Sequence, residues 1–384
     1  MVLNNVTVLG TDGPVNIQIR NNRIVKITKD PIAAKSKRLQ LTFSKALAFP
    51  GLINSHDHLD FNLFPQLGDR TYNNYTEWGN YIHATYRNEI AAVLKVPVDL
   101  REQWGILKNL IAGVTMVVNH GEKLKTTFPL ISVHEEYHFL HSVQFEKKWK
   151  MKLNNPLKID KAAVIHVGEG LDSGSRKEID QLIRWNIFRK QMIGVHAMAM
   201  SRKQAEKFRA IVWCPQSNFF MFNQTAAVDK LKKYTTVLFG TDSTLTSDWN
   251  IWNHIRAARK TGSLTDAELI GSLSANAANI WGTPNGEIKT GRIADIVIAK
   301  MKQGKSAGES FFATDPEDIL LVLQSGRIRL FDSELLTQLT ETDTSAFSKI
   351  YIGGVCKYVE RDVPKLITAI QQYYSEANFP ITID

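Results

Sequence analysis

The stretch Ala48-Phe-Pro-Gly-Leu-Ile-Asn-Ser-His-Asp-His58 decides how the rest of the chain is interpreted. Residues 45–49 form an apolar run typical of a strand, and Pro50-Gly51 interrupts it before the run resumes. Side chains two residues apart in a strand point to the same side. His56 and His58 therefore project together from a strand end, which suits ligation of one divalent ion. Two surface histidines in a polar loop would give the same triplet, so the pattern needs support from the remaining chain.

Composition points to a chain with a large core and a basic surface. The 384 residues are 43% hydrophobic and carry a formal net charge of +9, with lysines concentrated at 147–152. We interpret these lysines mainly as a solvated face. Cys214 and Cys356 lie far apart and do not form a disulfide framework. The N-terminus lacks a signal-peptide pattern, and no run of about 18 apolar residues occurs, so we expect a soluble, cytoplasmic protein.

The pattern of apolar residues changes twice along the chain. Residues 1–48 show alternating apolar positions between turn signals, which predicts a small antiparallel sheet. Farther on, strand-like runs alternate with helical segments such as 101–112 and 176–190. Repeated strand–helix units favour a parallel sheet. The length favours a closed eight-strand barrel over an open sheet, and periodicity alone does not distinguish the two. The predicted fold is α/β: a (β/α)8 TIM-like barrel over 49–284, a composite β-sandwich from 1–48 and 285–362, and a C-terminal helix and tail over 363–384.

Polar residues recur where the predicted barrel strands end. His166, His196 and Asp242 each follow an apolar run, as His56 and His58 do. Side chains at the carboxyl ends of barrel strands meet at one mouth. Their nitrogen and oxygen donors suit Zn²⁺ or Fe²⁺. Core histidines bonded to backbone carbonyls, and an N-capping aspartate, are the alternatives for single residues.

This order of motifs resembles the amidohydrolase superfamily of metal-dependent hydrolases over nearly the whole chain. Pro50–His58 resembles the opening motif of that superfamily, and Gly240-Thr-Asp-Ser243 resembles its last metal-site strand. Ser274–Ala278 and Gly286–Asp295 resemble the segment where the barrel returns to the sandwich.

Within the superfamily, the sequence most resembles the branch of cytosine deaminase, guanine deaminase and triazine hydrolase. That branch places a glutamate three residues after a histidine, as in His166-Val-Gly-Glu169. Cys214-Pro-Gln-Ser-Asn218 also looks like the next strand end of the branch. No lysine occupies a context matching the carboxylated lysine of the binuclear branches, so the resemblance implies one metal ion.

The resemblance also implies the roles of the site residues. The metal ligands would be His56, His58, His166 and Asp242, with Zn²⁺ expected and Fe²⁺ as the alternative. His196 would stand beside the reacting group without ligating the metal. The catalytic residues would be Glu169 as a proton shuttle, His196 as a charge stabiliser, and Asp242 as ligand and proton acceptor.

The expected reaction is hydrolysis of a carbon–nitrogen bond other than a peptide bond. Deamination of an amino-substituted heterocycle or cyclic amidine, through a metal-activated hydroxide, is the leading hypothesis. The expected partner is a small planar nitrogen heterocycle, with no membrane or nucleic-acid partner; a homodimer is left open. Trp78 and His120 are weaker candidates for substrate contact, and both fit a core role equally well.

Three alternatives remain. Within the enzyme class, the site would also suit opening of a cyclic amide or lactam. The pentapeptide His134-Glu-Glu-Tyr-His138 has the HExxH pattern of helical zinc peptidases. A non-catalytic binding protein on the same fold would use the basic charge for an anionic partner, with salt-dependent binding as its signature.

Overall fold

The computed structural model describes residues 1–33, 39–127, 129–340 and 342–383. Strands from the two ends of the chain pair both parallel and antiparallel, whereas the strands of the middle region are all parallel. In chain order they are β1 (Val2–Val8), β2 (Pro14–Arg20), β3 (Arg23–Thr28), β4 (Gln40–Pro50), β5 (Leu52–Asp57), β6 (Val114–Asn119), β7 (Ser132–His134), β8 (His138–Ser142), β9 (Ala163–Val167), β10 (Met192–His196), β11 (Ala210–Trp213), β12 (Thr236–Phe239), β13 (Ile296–Lys300), β14 (Ile319–Gln324), β15 (Arg327–Asp332), β16 (Ser348–Ile352), β17 (Val355–Val359) and β18 (Ile381–Thr382).

Helices fill most of the connections between the parallel strands. They are α1 (Tyr75–Thr85), α2 (Arg87–Leu94), α3 (Val98–Ile111), α4 (Trp149–Leu153), α5 (Ser173–Trp185), α6 (Arg202–Ala205), α7 (Pro215–Phe222), α8 (Val228–Leu231), α9 (Ile251–Lys260), α10 (Asp266–Ser272), α11 (Ala275–Trp281), α12 (Ala307–Phe312) and α13 (Val363–Gln371). Short 3₁₀ helices span Leu59–Phe61, Pro156–Lys158, Pro316–Asp318 and Ser333–Gln338.

One ten-stranded sheet joins the two ends of the chain, in the order β18-β16-β17-β15-β14-β13-β4-β1-β2-β3. At its centre β4 runs antiparallel to β13, with Phe49 opposite Val297. Alternate residues of β4 point to opposite faces. Leu47 and Phe49 pack into the larger core, where the Phe49 ring lies 5.7 Å from that of Trp252, whereas Ala48 joins the smaller core beneath β1 and β2.

Eight parallel strands lie between these ends, in the orders β5-β6-β7 and β12-β11-β10-β9-β8. Their residues are almost entirely buried, as parallel strands covered on both faces require. The amides of Thr241 and Asp242 both donate to the His56 carbonyl at 3.1 Å, so the first and last of these strands adjoin at their carboxyl ends. Closure into a barrel, packing of the other sheet as a sandwich, and the domain limits stay predictions.

The predicted helices are present, with shifted ends. The segment 101–112 is helical from Val98, directly after Pro97. The segment 176–190 is helical only from Ser173 to Trp185, because Asp172 caps its start and a side-chain turn at Asn186 follows its end. The expected amphipathic closing helix is α13, whose apolar face is buried. No described helix combines the length and apolarity needed to cross a bilayer.

Candidate metal centre and active site

The histidines and aspartate predicted at separate strand ends meet in one place. His56 Nε2 lies 3.3 Å from His166 Nε2 and 3.8 Å from Asp242 Oδ1. His58 Nε2 is 3.6 Å from the same Asp242 oxygen. The ligand atoms of His56, His58 and His166 all lie within 4.8 Å of one another. A second group of ligand atoms within that distance is formed by His56, His196 and Asp242. Which of these residues would ligate an ion stays a prediction.

The protonation of these imidazoles leaves lone pairs facing inward. His166 Nδ1 lies 3.0 Å from the His141 carbonyl oxygen, which can only accept, so Nδ1 carries the hydrogen and Nε2 the lone pair. Burial, followed by neighbouring histidines, holds the pKa of His56 and of His166 well below the usual range. Both rings are therefore neutral. Neutral imidazole nitrogens this close, beside a carboxylate, fit a borderline cation such as Zn²⁺.

Asp242 is held as an ionised carboxylate. Its Oδ2 accepts hydrogen bonds from Ser217 Oγ at 2.8 Å and Thr246 Oγ1 at 3.1 Å, leaving Oδ1 toward the histidines. Burial would raise the pKa of Asp242, but His58, His196 and the Ser217 hydroxyl outweigh it and keep the pKa below its usual value. The residue also adopts a left-handed backbone, with φ of 60°. Such conformations cluster where surrounding structure fixes a functional side chain.

A chain of hydrogen bonds fixes which nitrogen of His196 carries the proton. Trp213 Nε1 donates to Thr225 Oγ1 at 2.6 Å, and that hydroxyl donates to Asn218 Oδ1 at 3.4 Å. The Asn218 amide nitrogen therefore faces His196 Nδ1, 3.0 Å away, and donates to it. The His196 hydrogen is left on Nε2, which lies 3.4 Å from Glu169 Oε1. Burial lowers the pKa of His196 to about 4, so the ring is a neutral N–H donor.

Glu169 is a buried carboxyl group that favours its protonated form. Burial, then the charges of Asp242 and Glu178, raise the pKa of Glu169 well above its usual value. Glu178 Oε1 accepts from the Gly168 amide at 2.7 Å, and the Tyr75 amide donates to the Glu169 carbonyl at 3.0 Å. These bonds fix the turn that carries Glu169. Gly168 has a φ of 59°, and a side chain there would meet Ile179.

The residue between the two first histidines anchors them from behind. Asp57 points away from the cation site, as alternation in a strand requires. Its Oδ2 accepts from Lys108 Nζ at 2.9 Å and from Asn109 Nδ2 at 2.7 Å, and its Oδ1 accepts from Asn62 Nδ2 at 2.8 Å. The Lys108–Asp57 ion pair is fully buried. It ties β5 to α3 beneath the histidines.

A cavity of about 330 Å³ opens onto these groups. Trp78 lines it, and its indole N–H donates to the Leu67 carbonyl at 2.8 Å; a contact of Trp78 with substrate stays a prediction. No lysine or arginine is among the described lining residues. A larger cavity of about 660 Å³, lined by Trp104 and Tyr374, contains none of the predicted ligands and is not the candidate site. The cavity over the ligands is lined by His58, Phe61, Tyr75, Trp78, Gly79, Asn80, Ile82, His83, His141, Phe145, His166, Glu169, His196, Asp242, Ser243, Leu245 and Thr246.

His120 sits beside the site and is not among the residues lining this cavity. Its ring centroid lies 4.3 Å from that of His166. Both ring nitrogens are buried and lack a hydrogen-bond partner among the described residues. The structure therefore places His120 behind a predicted ligand, not at the substrate surface expected from its strand-end position.

The HExxH segment is not helical. His134 ends β7 and His138 begins β8, so the two rings do not share one helix face. His138 Nδ1 instead lies 2.6 Å from Lys190 Nζ. The metallopeptidase alternative is wrong, because its zinc ligands require helical spacing.

Sequence reasoning missed several residues of this site. His141 lines the cavity and its carbonyl orients His166. His141 follows the apolar residues of β8 near the end of that strand, and this strand-end position could have been recognised in the sequence. Glu178 and Lys108 act through contacts with residues distant in the chain, which leave no local pattern. Asn218 belongs to the strand-end motif quoted above, but its bond to His196 depends on tertiary packing.

Imidazole and carboxylate donors at the carboxyl edge of parallel strands, beside a buried carboxylic acid, define a metal-dependent hydrolase. Residues 158–329 match the family described as Amidohydrolase family, which confirms the predicted resemblance. The chain is a hydrolase that acts on carbon–nitrogen bonds. No curated protein matches the sequence significantly.

Solved structures share the fold along most of the chain. An adenosine deaminase from Xanthomonas campestris with bound zinc has a TM-score of 0.72 at 14% identity, covering 98% of both chains. An atrazine chlorohydrolase from Arthrobacter aurescens TC1 complexed with zinc has a TM-score of 0.70 at 17% identity, covering 97% of this chain and 99% of that chain. A guanine deaminase from C. acetobutylicum with bound guanine has a TM-score of 0.65 at 13% identity, covering 85% and 99%. They correspond to the branch named from the sequence.

Proposed function

We propose that this hydrolase deaminates a small, planar, uncharged nitrogen heterocycle or cyclic amidine and releases ammonia. The observation that carries the proposal is a buried carboxyl group, Glu169, that lines the same cavity as His166 and Asp242; its burial raises its pKa and so favours the protonated acid. A deaminase needs a proton donor for a ring nitrogen next to the carbon that is attacked. Glu169 is the buried acid in that position.

One divalent ion, Zn²⁺ in this proposal, would be held by His56, His58, His166 and Asp242. The donor set supports this assignment, because Asp242 Oδ1 lies 3.8 Å from His56 Nε2 and 3.6 Å from His58 Nε2, and the ligand atoms of the three histidines lie within 4.8 Å of one another. Such an ion supplies a water molecule with a pKa near 7, about nine units below that of bulk water.

The residues of the chain then divide the proton transfers. Asp242 accepts a proton from the attacking water, since its carboxylate is ionised. Glu169 delivers its proton to the ring nitrogen, which makes the neighbouring carbon electrophilic, and its carboxylate then takes the remaining proton of the added hydroxyl as the carbonyl forms. The proton held by Asp242 passes to the amine, which departs as ammonia, so both carboxyl groups return to their starting states. His196 presents its Nε2–H to negative charge that develops on the attacked centre.

The cavity supports the choice of substrate class. A volume of about 330 Å³ is at the lower end of ligand pockets. Its outer wall is formed by Phe61, Trp78, Ile82, Phe145 and Leu245, which suits the face of a planar ring. The lack of a lysine or arginine among the described lining residues disfavours phosphorylated substrates. Two structural neighbours are described as an adenosine deaminase and a guanine deaminase, which supports this choice, whereas a third is described as an atrazine chlorohydrolase.

The test combines metal analysis with a substrate screen. Purified protein should contain one zinc per chain and release ammonia from a member of a panel of aminated purines, pyrimidines, triazines and pterins. Glu169→Gln should lower kcat by about a hundredfold, within the range for a lost general acid, while still binding zinc. Full activity in that variant would contradict the proton-shuttle role. Opening of a cyclic amide without ammonia release would favour the lactam-opening alternative.

A further inference from the structure

Two short segments expose a concentration of large apolar side chains. Leu157 leaves 89% of its surface exposed, Met151 74% and Ile187 64%. Isolated exposed apolar residues are normal, whereas a contiguous group marks an interaction surface. We define the 151–188 patch by these members: Met151, Leu157, Ile159, Trp185, Ile187 and Phe188.

Hydrogen bonds join the two segments into one surface. Asn154 Nδ2 donates to the Trp185 carbonyl at 2.8 Å, and the Ile187 amide donates to Asn154 Oδ1 at 3.1 Å. Lys150 Nζ lies 4.3 Å from the centre of the Trp185 ring. The end of α5 therefore packs beside α4 and the 3₁₀ helix that follows it.

Lysines lie on the same segments as the patch, and those at 147–152 are the concentration identified in the sequence. The metal centre does not use them. Lys152 pairs with Glu146 and Lys161 with Glu136. The other exposed lysines of this region form no ion pair among the described residues: Lys147, Lys148, Lys150 and Lys158.

The exposed apolar side chains and the lysines together indicate what kind of partner would bind this patch. A second copy docking through the same patch would oppose its own lysines, which like charges disfavour. The most exposed apolar side chains, Leu157 and Met151, project from short helical turns and do not line any described cavity. Exposed apolar side chains on the same short segments as exposed lysines match a bilayer interface, where the apolar groups enter the headgroup region and the amines meet lipid phosphates.

We propose that the 151–188 patch docks the protein reversibly on the surface of an anionic phospholipid bilayer. This replaces the sequence-based expectation of no membrane partner with peripheral binding. Each lysine near an anionic surface strengthens binding about fivefold, and burial of a leucine side chain strengthens it about tenfold.

The test is cosedimentation of the full chain with vesicles of phosphatidylcholine alone and of phosphatidylcholine mixed with phosphatidylglycerol. The protein should sediment with the mixed vesicles and not with the neutral ones. Binding should be lost at ~1 M salt, where the Debye length is about 3 Å. Leu157→Ser should weaken binding about tenfold, and Lys158→Gln about fivefold.

Leu94→Ser is the matched control, since Leu94 is an exposed leucine on α2 outside the patch; its binding should be unchanged. Circular dichroism should show that all three variants fold. Equal binding to both vesicle types, or unchanged binding of Leu157→Ser, would overturn the proposal. A native dimer that Leu157→Ser dissociates would assign the patch to a second copy instead. Failure to sediment with any vesicle would leave the patch to a protein partner and equally reject the proposal.

Discussion

The hydrogen bond from Asn218 to His196 can be reversed without changing the size of the side chain. Asn218 is fully buried, and its amide donates to His196 Nδ1 at 3.0 Å. In Asn218→Asp the group at this position becomes a carboxylate, which accepts only. The Thr225 hydroxyl can still donate to it, so the substitution mainly moves the His196 proton from Nε2 to Nδ1.

The expected loss follows from what Nε2 faces. Moving the proton to Nδ1 leaves a lone pair on Nε2, 3.4 Å from Glu169 Oε1. One preorganised donor to developing negative charge is then absent, which costs about 2.7–4 kcal/mol, or 10²–10³ in kcat. We expect kcat to fall at least about a hundredfold at alkaline pH. KM should change little, because this charge develops only in the transition state.

The pH dependence of kcat should differ between Asn218→Asp and the native enzyme. In the native protein burial holds the pKa of His196 near 4, so the ring stays neutral across the working range. A carboxylate at position 218 raises the pKa of His196, because it stabilises the charged ring. Lowering the pH then restores the Nε2 proton, and kcat of Asn218→Asp should recover as pH falls while that of the native enzyme does not.

Steady-state kinetics on the substrate found by the ammonia screen would measure kcat and KM. Long-range proton–nitrogen spectra of protein with ¹⁵N-labelled histidine would assign the His196 tautomer independently of activity. Gln216→Glu is the control, since it makes the same chemical change two residues away on α7, where the Gln216 oxygen only accepts from Asp248 N–H. Native kcat in Asn218→Asp at alkaline pH, or an Nδ1–H tautomer in the native protein, would refute the reasoning.

Three other predictions follow from the site. Lys108→Met should destabilise the fold by about 3–5 kcal/mol in denaturant unfolding, because it leaves Asp57 as an unpaired buried charge; an unchanged midpoint would show that the pair is dispensable. His166→Asn should lose bound zinc in metal analysis, whereas His120→Asn should keep it, and the opposite result would exchange their roles. Burial raises the pKa of Glu178 to about 7 from its ordinary 4.5, so its contribution to stability is full below about 4.5 and is lost as pH rises through 7. As pH rises from about 4.5 to 7, the Glu178→Gln variant should therefore become more stable than the native protein, by no more than about 3 kcal/mol. Denaturant midpoints measured below and above this pH range would test this.

The proximity of the candidate ligands could be predicted from the sequence because each lies at the carboxyl end of a parallel strand. Alternation places His56 and His58 on one side of β5, and the end of an apolar run places His166 and Asp242 at the same edge. His120 also follows a strand, but it packs against His166 outside the lining of the cavity, which fits the core role that the sequence left open for it. The strand-end and motif reasoning failed for HExxH, since the letters fit a helix that the chain does not form there.

The sequence by itself determined the donor chemistry: imidazoles and a carboxylate at strand ends, with an acid three residues beyond one of them. Only the tertiary structure decided how these groups are protonated and held. The tautomer of His196 depends on Asn218, the ionisation of Glu169 on burial beside Asp242, and the support of β5 on Lys108. Periodicity fixes the direction of a side chain relative to its own backbone, whereas hydrogen-bond partners and desolvation are set by segments far apart in the chain.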